Sequence, residues 1–154
     1  MAKKETESTQ AHVGRIGEII FGNYMTSQGK LVNHATNPYD PKKDMVIDGK
    51  VYEVKTQVPF VTENAFTIRE HQLKKCREAD YVVFVSIPNC ERHHWSSGRV
   101  YMVEGSKMKT RTRKMRDGRK MILIGIDQLQ ELFIVPDDDC QTLMKYSVSR
   151  WNPA

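Results

Sequence analysis

Apolar residues recur along this chain with different periods, and the changes of period mark its elements. From Ala11 to Gln28 the period is helical. Val13, Ile16, Ile20 and Tyr24 fall at i, i+3, i+7 and i+11 on one face, which Gly14, Gly17, Phe21 and Met25 widen. Gly29 follows as a stop signal. Residues 1–9 are polar and read as a frayed tail. Residues 32–36 predict a first strand, and 37–43, with two prolines, a loop. Asp48-Gly49 then sits between two β-rich runs and predicts a two-residue hairpin turn. Thr67 and Glu70 have the spacing of a capping box and predict a helix from there to about Glu78. Residues 80–88, DYVVFVSIP, form a continuous apolar run and predict a strand buried on both faces. Residues 99–103 predict another strand. Asp117-Gly118 predicts a second hairpin, which joins a basic run to KMILIGI at 120–126. DQLQELF at 127–133 predicts a short helix capped by Asp127, and 134–154 form a C-terminal extension of no clear period. The order is α-β-β-β-α-β-β-β-α. It describes one α/β (α+β) domain over residues 1–154, with a central mixed β-sheet flanked by helices and a basic β-hairpin at 107–126.

Composition changes this picture little. A chain of 154 residues, 39% hydrophobic and 28% charged, suits one globular domain rather than a disordered or fibrous chain. No apolar run approaches the roughly 20 residues of a membrane span. The polar N-terminus lacks the apolar middle of a secretory signal. Cys76, Cys90 and Cys140 are odd in number and contain no CxxC pair, so a reducing cytoplasm is the expected compartment.

Charge changes it more. Lys107, Lys109, Arg111, Arg113, Lys114, Arg116, Arg119 and Lys120 share the segment 107–120 with one acid, Asp117, giving it +7. The other 16 basic and 18 acidic residues sum to −2, so one element carries the whole net charge of +5. A polyanion is the natural partner of such an element, and a two-stranded ribbon fits the major groove of double-stranded DNA. Lys107, Lys109, Arg111 and Arg113 alternate and are expected on one strand face. A two-residue turn at Asp117-Gly118 would set Arg113 opposite Ile122 and Arg111 opposite Ile124.

The first hairpin raises a chemical question. With Asp48 and Gly49 as turn residues, Ile47 faces Lys50, Val46 faces Val51, Met45 faces Tyr52 and Asp44 faces Glu53. Alternation then gives Val51, Glu53, Lys55 and Gln57 one face, and Met45, Ile47, Tyr52 and Val54 a core face. Opposed carboxylates destabilise a sheet unless a cation offsets them. Lys55 is one candidate. The other is Mg²⁺, which takes one or two carboxylates and completes its shell with water and phosphate oxygens.

The frame D-x8-E-V-K at Asp44, Glu53 and Lys55 resembles the motif of the PD-(D/E)xK nuclease superfamily, in which an Asp at a strand start is followed by an acid-x-Lys triplet on the next strand. Glu18 in RIGEII is similar to the Glu that many members carry on their first helix, and Gln57 to a Gln that some place after the Lys. The resemblance covers about residues 11–88. It implies a restriction-endonuclease-like core of αβββαβ order and Mg²⁺-dependent cleavage of DNA, with Mn²⁺ as the substitute ion. It also implies roles. Asp44, Glu53 and the Val54 backbone carbonyl would hold the metal, Glu18 would complete the site directly or through water, and Lys55 would orient or deprotonate the attacking water. Gln57 joins the catalytic set. Asp44 follows Lys43 rather than a proline, and Asp40, beside Pro41, is a rival for the metal-binding Asp.

Other candidates read more simply. Cys90, His93 and His94, with Cys140 or His71, lack the spacing of a zinc site. Asp137, Asp138 and Asp139 read as a solvated acidic turn. The expectation is a single-domain endonuclease of homing or phage-associated type. One site per chain suggests a homodimer or higher homo-oligomer for cutting both strands. A junction or repair nuclease of the same fold is one alternative, and a nucleic-acid-binding module without catalysis is the other.

Overall fold

The computed structural model describes residues 2–33, 45–59, 64–88 and 98–151, with the side chains of 12–33, 45–59, 64–88 and 98–145. Among these described residues three helices and nine strands follow one another. They are α1 (Ala2–Ser27), β1 (Val32–Asn33), β2 (Met45–Ile47), β3 (Lys50–Gln57), β4 (Ala65–Ile68), α2 (Leu73–Glu78), β5 (Tyr81–Ser86), β6 (Arg99–Glu104), β7 (Arg111–Lys114), β8 (Lys120–Gly125), β9 (Gln130–Ile134) and α3 (Asp137–Trp151).

Six strands form the main sheet in the order β1-β2-β3-β5-β6-β9, and three form a second sheet in the order β4-β8-β7. The main sheet is mixed. β1, β2 and β3 run antiparallel in sequence, β5 lies parallel to β3, and β6 and β9 continue antiparallel. The chain between β3 and β5 carries β4 and α2, as a parallel connection requires.

The first hairpin has the expected register. Met45 pairs with Tyr52, Val46 with Val51 and Ile47 with Lys50. Asp48 and Gly49 both take positive φ, 49° and 80°, as a type I′ turn demands. Met45, Ile47 and Tyr52 are buried in the core between the main sheet and α1, with Val54 packed against it.

Two apolar clusters sit on opposite faces of the main sheet. One gathers Val13, Ile20 and Phe21 of α1 and Leu143 of α3 against Tyr52, Val83, Val85 and Val100. The other gathers Phe66, Ile68, Ile122 and Ile124 of the second sheet and Cys76 of α2 against Val82, Phe84 and Tyr101. Phe66 stacks on Phe84 at 4.8 Å between ring centroids and so joins the two sheets. β5 is therefore covered on both sides, and Val82 to Val85 are all fully buried, as its unbroken apolar run predicts.

Several expectations are corrected. Residues 2–9, read as a frayed tail, belong to α1. Five of these eight are Ala, Lys or Glu, which are strong helix formers, and no Gly or Pro interrupts the helix before Gly14. Thr67 caps no helix. It lies in β4 opposite Leu123, because AFTI pairs with β8, and the helical segment begins only with the 3₁₀ turn Glu70–Gln72. DQLQELF is not a helix but a 3₁₀ turn, Ile126–Gln128, followed by β9, which pairs with β6 at the sheet edge. The C-terminal segment forms α3, whose Leu143 is fully buried and whose Asp137, Asp138 and Asp139 occupy the first turn, where the helix dipole favours acids.

The basic hairpin is also one residue out of the expected register. Thr112 pairs with Ile122, Arg113 with Met121 and Arg111 with Leu123. The cause is a three-residue loop. The Met115 N–H donates to the Arg119 carbonyl, the Gly118 N–H to the Met115 carbonyl, and Gly118 has φ 89°. The hairpin spans β7 and β8 only. Lys107 ends a 3₁₀ turn and Lys109 precedes β7, so of the four alternating cations only Arg111 and Arg113 share a strand face.

Candidate functional site

β3 positions the candidate residues by alternation. Tyr52, Val54 and Thr56 face α1, where Gly17 abuts Thr56. Glu53, Lys55 and Gln57 face the other way, toward α2 and the second sheet, and lie beside Val82, Phe84 and Ser86 of β5.

On that face Glu53 is 7% exposed, and each of its carboxylate oxygens meets an ammonium group. Lys55 Nζ lies 3.1 Å from Oε1, and Lys75 Nζ of α2 lies 3.4 Å from Oε2. Lys55 Nζ also donates to Gln72 Oε1 at 3.2 Å. Cys76 lies under this group, fully buried, and burial pushes its thiol up to about 11, with Lys55 pulling the other way. A carboxylate so removed from water needs paired charge, and here two lysines supply it. The cluster of Glu53, Lys55 and Lys75 carries +1. It reaches solvent on the Lys75 side, whose side chain is 38% exposed against 16% for Lys55.

Gln57 is held structurally. Its Nε2 donates to the Thr67 carbonyl at 2.8 Å, and its Oε1 accepts from the Thr67 N–H at 2.8 Å and from Thr67 Oγ1 at 3.0 Å. Thr67 turns those backbone groups away from β8, so the amide caps the edge of β4 as another strand would. Gln57 thereby ties the second sheet to β3, two residues from Lys55.

The Val54 carbonyl points to the β2 side of β3. The Val51 N–H donates to Asp80 Oδ2 and the Gln57 carbonyl accepts from the Ile87 N–H, both on the β5 side. Backbone groups alternate along a strand, so those of Tyr52 and Val54 aim toward β2. The described β2 ladder ends at Met45–Tyr52, so the Val54 carbonyl lies just past its last described rung.

Asp44 precedes Met45 in the chain, but Asp44 and its rival Asp40 lie outside the described residues, as do Cys90, His93 and His94. Glu18 follows Gly17 on α1, the helix that covers the Thr56 face of β3, whereas Glu53 and Lys55 occupy the opposite face. The structure thus brings Glu53, Lys55 and Gln57 to one face and leaves Glu18 on the helix across the strand. Among the described residues no group of three or more His, Cys, Asp or Glu is placed to hold a metal ion. The donors available to one are a carboxylate and a backbone carbonyl, hard oxygens that suit Mg²⁺ in company with a further carboxylate.

Sequence reasoning missed Gln72 and Lys75. Lys75 follows Lys74 in LKKCRE, and only the phase of α2 decides which of the two turns inward. Lys74 instead lies outward, 86% exposed, with its Nζ 3.9 Å from Glu78.

The cations of the ribbon are solvent-facing. Arg111, Arg113 and Lys114 of β7 are exposed, as are Arg116, Arg119 and Lys120. Asp117 is held below the usual carboxylate range by the Arg119 backbone N–H and guanidinium, and Arg119 Nε lies 2.6 Å from it. Lys107 pairs with Glu104 at 3.2 Å. At the base of the ribbon the Gln128 amide bonds both the N–H and the carbonyl of Lys109, and Arg77 of α2 donates to the Met108 carbonyl.

Comparison with family models, curated proteins and solved structures finds no significant match. Among the described residues no helix is long and apolar enough to cross a membrane.

Proposed function

We propose that this chain is a Mg²⁺-dependent DNA endonuclease with a restriction-endonuclease-like core. The observation that carries the reading is the Glu53–Lys55 pair on one face of β3, at the point where the described β2 ladder ends and Asp44 comes next in the chain. The architecture supports it. A first helix, an antiparallel β1-β2-β3 meander, a crossover bearing β4 and α2, and β5 parallel to β3 are compatible with the αβββαβ order implied by the motif, with β4 added in the second sheet.

Asp44, Glu53 and the Val54 carbonyl would hold the metal, whose contribution when bound is to polarise a phosphate and acidify a water. Glu18, across the strand on α1, is the weakest member of the proposed set. Lys55, fixed between Glu53 and Gln72, is placed to orient the attacking water or to offset charge that develops on phosphate. Gln57 holds the second sheet, and through it the basic ribbon, in fixed relation to β3. β7 lies two strand spacings from β4, roughly 10 Å, and a duplex lying across the site would meet its cations. The ribbon supplies phosphate contacts, and a site-specific enzyme of homing or phage-associated type, acting as a homodimer, is the form this takes.

A second reading has its own observation. Both oxygens of Glu53 are already neutralised by lysines, as in a binding module whose acid is purely structural. Supercoiled plasmid separates the two readings. The nuclease nicks it in Mg²⁺ and not in EDTA, and Glu53→Gln and Lys55→Met each abolish nicking while DNA binding survives. Binding of plasmid, linear and branched DNA with no metal-dependent cut overturns the nuclease reading.

A further inference from the structure

The basic hairpin outruns the sheet that supports it. β4 ends at Ile68, opposite Ile122, whereas β7 and β8 stay paired through Arg113–Met121 and Lys114–Lys120. The segment from Arg113 to Met121 is therefore a two-stranded arm that projects beyond β4, and Arg113, Lys114 and Lys120 on it are all exposed. Its two faces differ. Arg113 shares one with Met121 and, further back, Arg111, while Lys114 and Lys120 share the other and stand directly opposite each other. Cβ atoms of such a pair are about 4.5–5.5 Å apart, and like charges so placed destabilise a strand pair. Asp117, the single acid of the segment 107–120, does not relieve them, because it is bound by the Arg119 N–H and guanidinium. Among the described residues neither lysine is ion-paired.

We infer that this arm enters the major groove of double-stranded DNA, with Lys114 and Lys120 clamping phosphates of one strand and Arg113 turned toward those of the other. An arm with cations on both faces fits a ligand with two anionic walls, and a single strand offers only one. The choice of groove follows from size. A β-layer with its side chains occupies roughly 10 Å, which the major groove of B-DNA, about 12 Å wide, admits and the minor groove, about 6 Å wide, does not. Lysine ammonium groups are compact charges on flexible stems, so both can close on phosphate oxygens. Phosphate there supplies the negative charge that the hairpin itself withholds. This rests on the contact between ribbon and DNA proposed above, gives it a groove and a pair of residues, and depends on neither metal nor cleavage.

Fluorescence anisotropy of labelled DNA in sodium salt and EDTA, where no metal-dependent cut intervenes, tests this. Lys114→Gln/Lys120→Gln should flatten the slope of log affinity against log salt by about 2 on a short duplex. Lys120→Glu, which sets an acid opposite Lys114, should raise the thermal midpoint of the free protein and still flatten the slope, so that lost contacts are told apart from a lost fold. A T·A·T triplex, whose third strand fills the major groove, should bind more weakly than the duplex although it carries more phosphate. A midpoint that does not rise, a slope that neither variant changes, or a triplex bound as tightly as the duplex each overturns the inference. Metal-dependent nicking of plasmid that persists beside such a result leaves the nuclease reading standing. Groove-dependent binding without nicking leaves the arm in its groove and removes the nuclease.

Discussion

Lys55 Nζ lies 3.1 Å from Glu53 Oε1, and the two residues are separated by one position on the same strand face. Lys75 meets the other oxygen, so the carboxylate is paired twice. Removing either lysine alone leaves one ammonium in contact, and each of Lys55→Met and Lys75→Met should cost no more than about 1–2 kcal/mol. Removing both leaves a buried carboxylate without a partner, for which about 3–5 kcal/mol is the usual cost. Urea denaturation of the wild type, both single variants and the double variant should therefore show a loss exceeding the sum of the singles, by about 1 kcal/mol at the centres of those ranges. Simple additivity would mean that Glu53 is better hydrated than its 7% exposure implies.

Gln57 bonds the backbone of β4 through both ends of its amide. Gln57→Ala strands the Thr67 N–H and carbonyl at a partly buried edge, and the expected loss is about 1–3 kcal/mol. Amide hydrogen exchange should locate it, with protection falling at Thr67 and little change in the hairpin of β2 and β3. A variant that loses nicking but keeps full stability and full Thr67 protection would show that Gln57 acts on the chemistry directly.

Arg111 and Arg113 share one exposed strand face, opposite Leu123 and Met121. Each phosphate neutralised contributes about 0.9 to the slope of log affinity against log salt. Arg111→Gln/Arg113→Gln should flatten that slope by about 2, measured by fluorescence anisotropy of a labelled duplex between about 50 and 200 mM salt. An unchanged slope would take this face of the ribbon out of the DNA interface.

Elements governed by a local rule were legible in the sequence. Asp48-Gly49 fixed the first register, because few residue pairs accept two positive φ values. The run 80–88 marked a strand buried on both faces, and β5 occupies Tyr81–Ser86 within it. The failures share one physical origin, which is competition between a local signal and a partner distant in sequence. Thr67 has good capping chemistry, but β8 offers AFTI a full ladder. QELF fits a helix until β6 presents an open edge. Asp117-Gly118 fits a two-residue turn, yet the loop adds a residue, and one residue exchanges the strand's two faces. At the site, Glu53 and Lys55 were visible because a strand places i and i+2 together. Lys75 was not, since its approach to Glu53 depends on how α2 docks.

Gly17 stands where α1 crosses β3. A Cβ there would overlap Thr56 Oγ1 and lie 2.9 Å from Thr56 Cβ. Gly17→Ala gains about 1 kcal/mol of helix propensity but forces the helix off a strand whose next residue on either side faces the candidate site. Overpacking of this kind costs about 1–3 kcal/mol, and a rigid β-branched neighbour favours the upper end of that range. The expected result is net destabilisation in a thermal melt, relieved in Gly17→Ala/Thr56→Ser, where the Thr methyl is gone and Oγ can rotate away. Net stabilisation by the single change would mean that α1 and β3 are not in this close contact.

Cys76 lends itself to a test by pH. Burial raises its thiol from 9.0 to about 11, so the folded state keeps its proton over a range where the unfolded chain gives it up. The contribution to stability is fully present below about pH 9 and falls as pH rises toward 11, because there the unfolded state binds fewer protons. At about 1.4 kcal/mol for each pH unit that separates the folded and unfolded thiols, the loss amounts to roughly 2–3 kcal/mol. Cys76→Ala removes the titrating group but not the tyrosines that also begin to ionise in this range, so the difference between the two proteins isolates the thiol. At pH 8.5 the wild type should be the more stable by the cost of the small cavity the Ala leaves. By pH 11 that advantage should shrink by roughly 2–3 kcal/mol. An advantage that stays constant with pH would place the thiol in contact with water, and with it the floor on which Glu53, Lys55 and Lys75 rest.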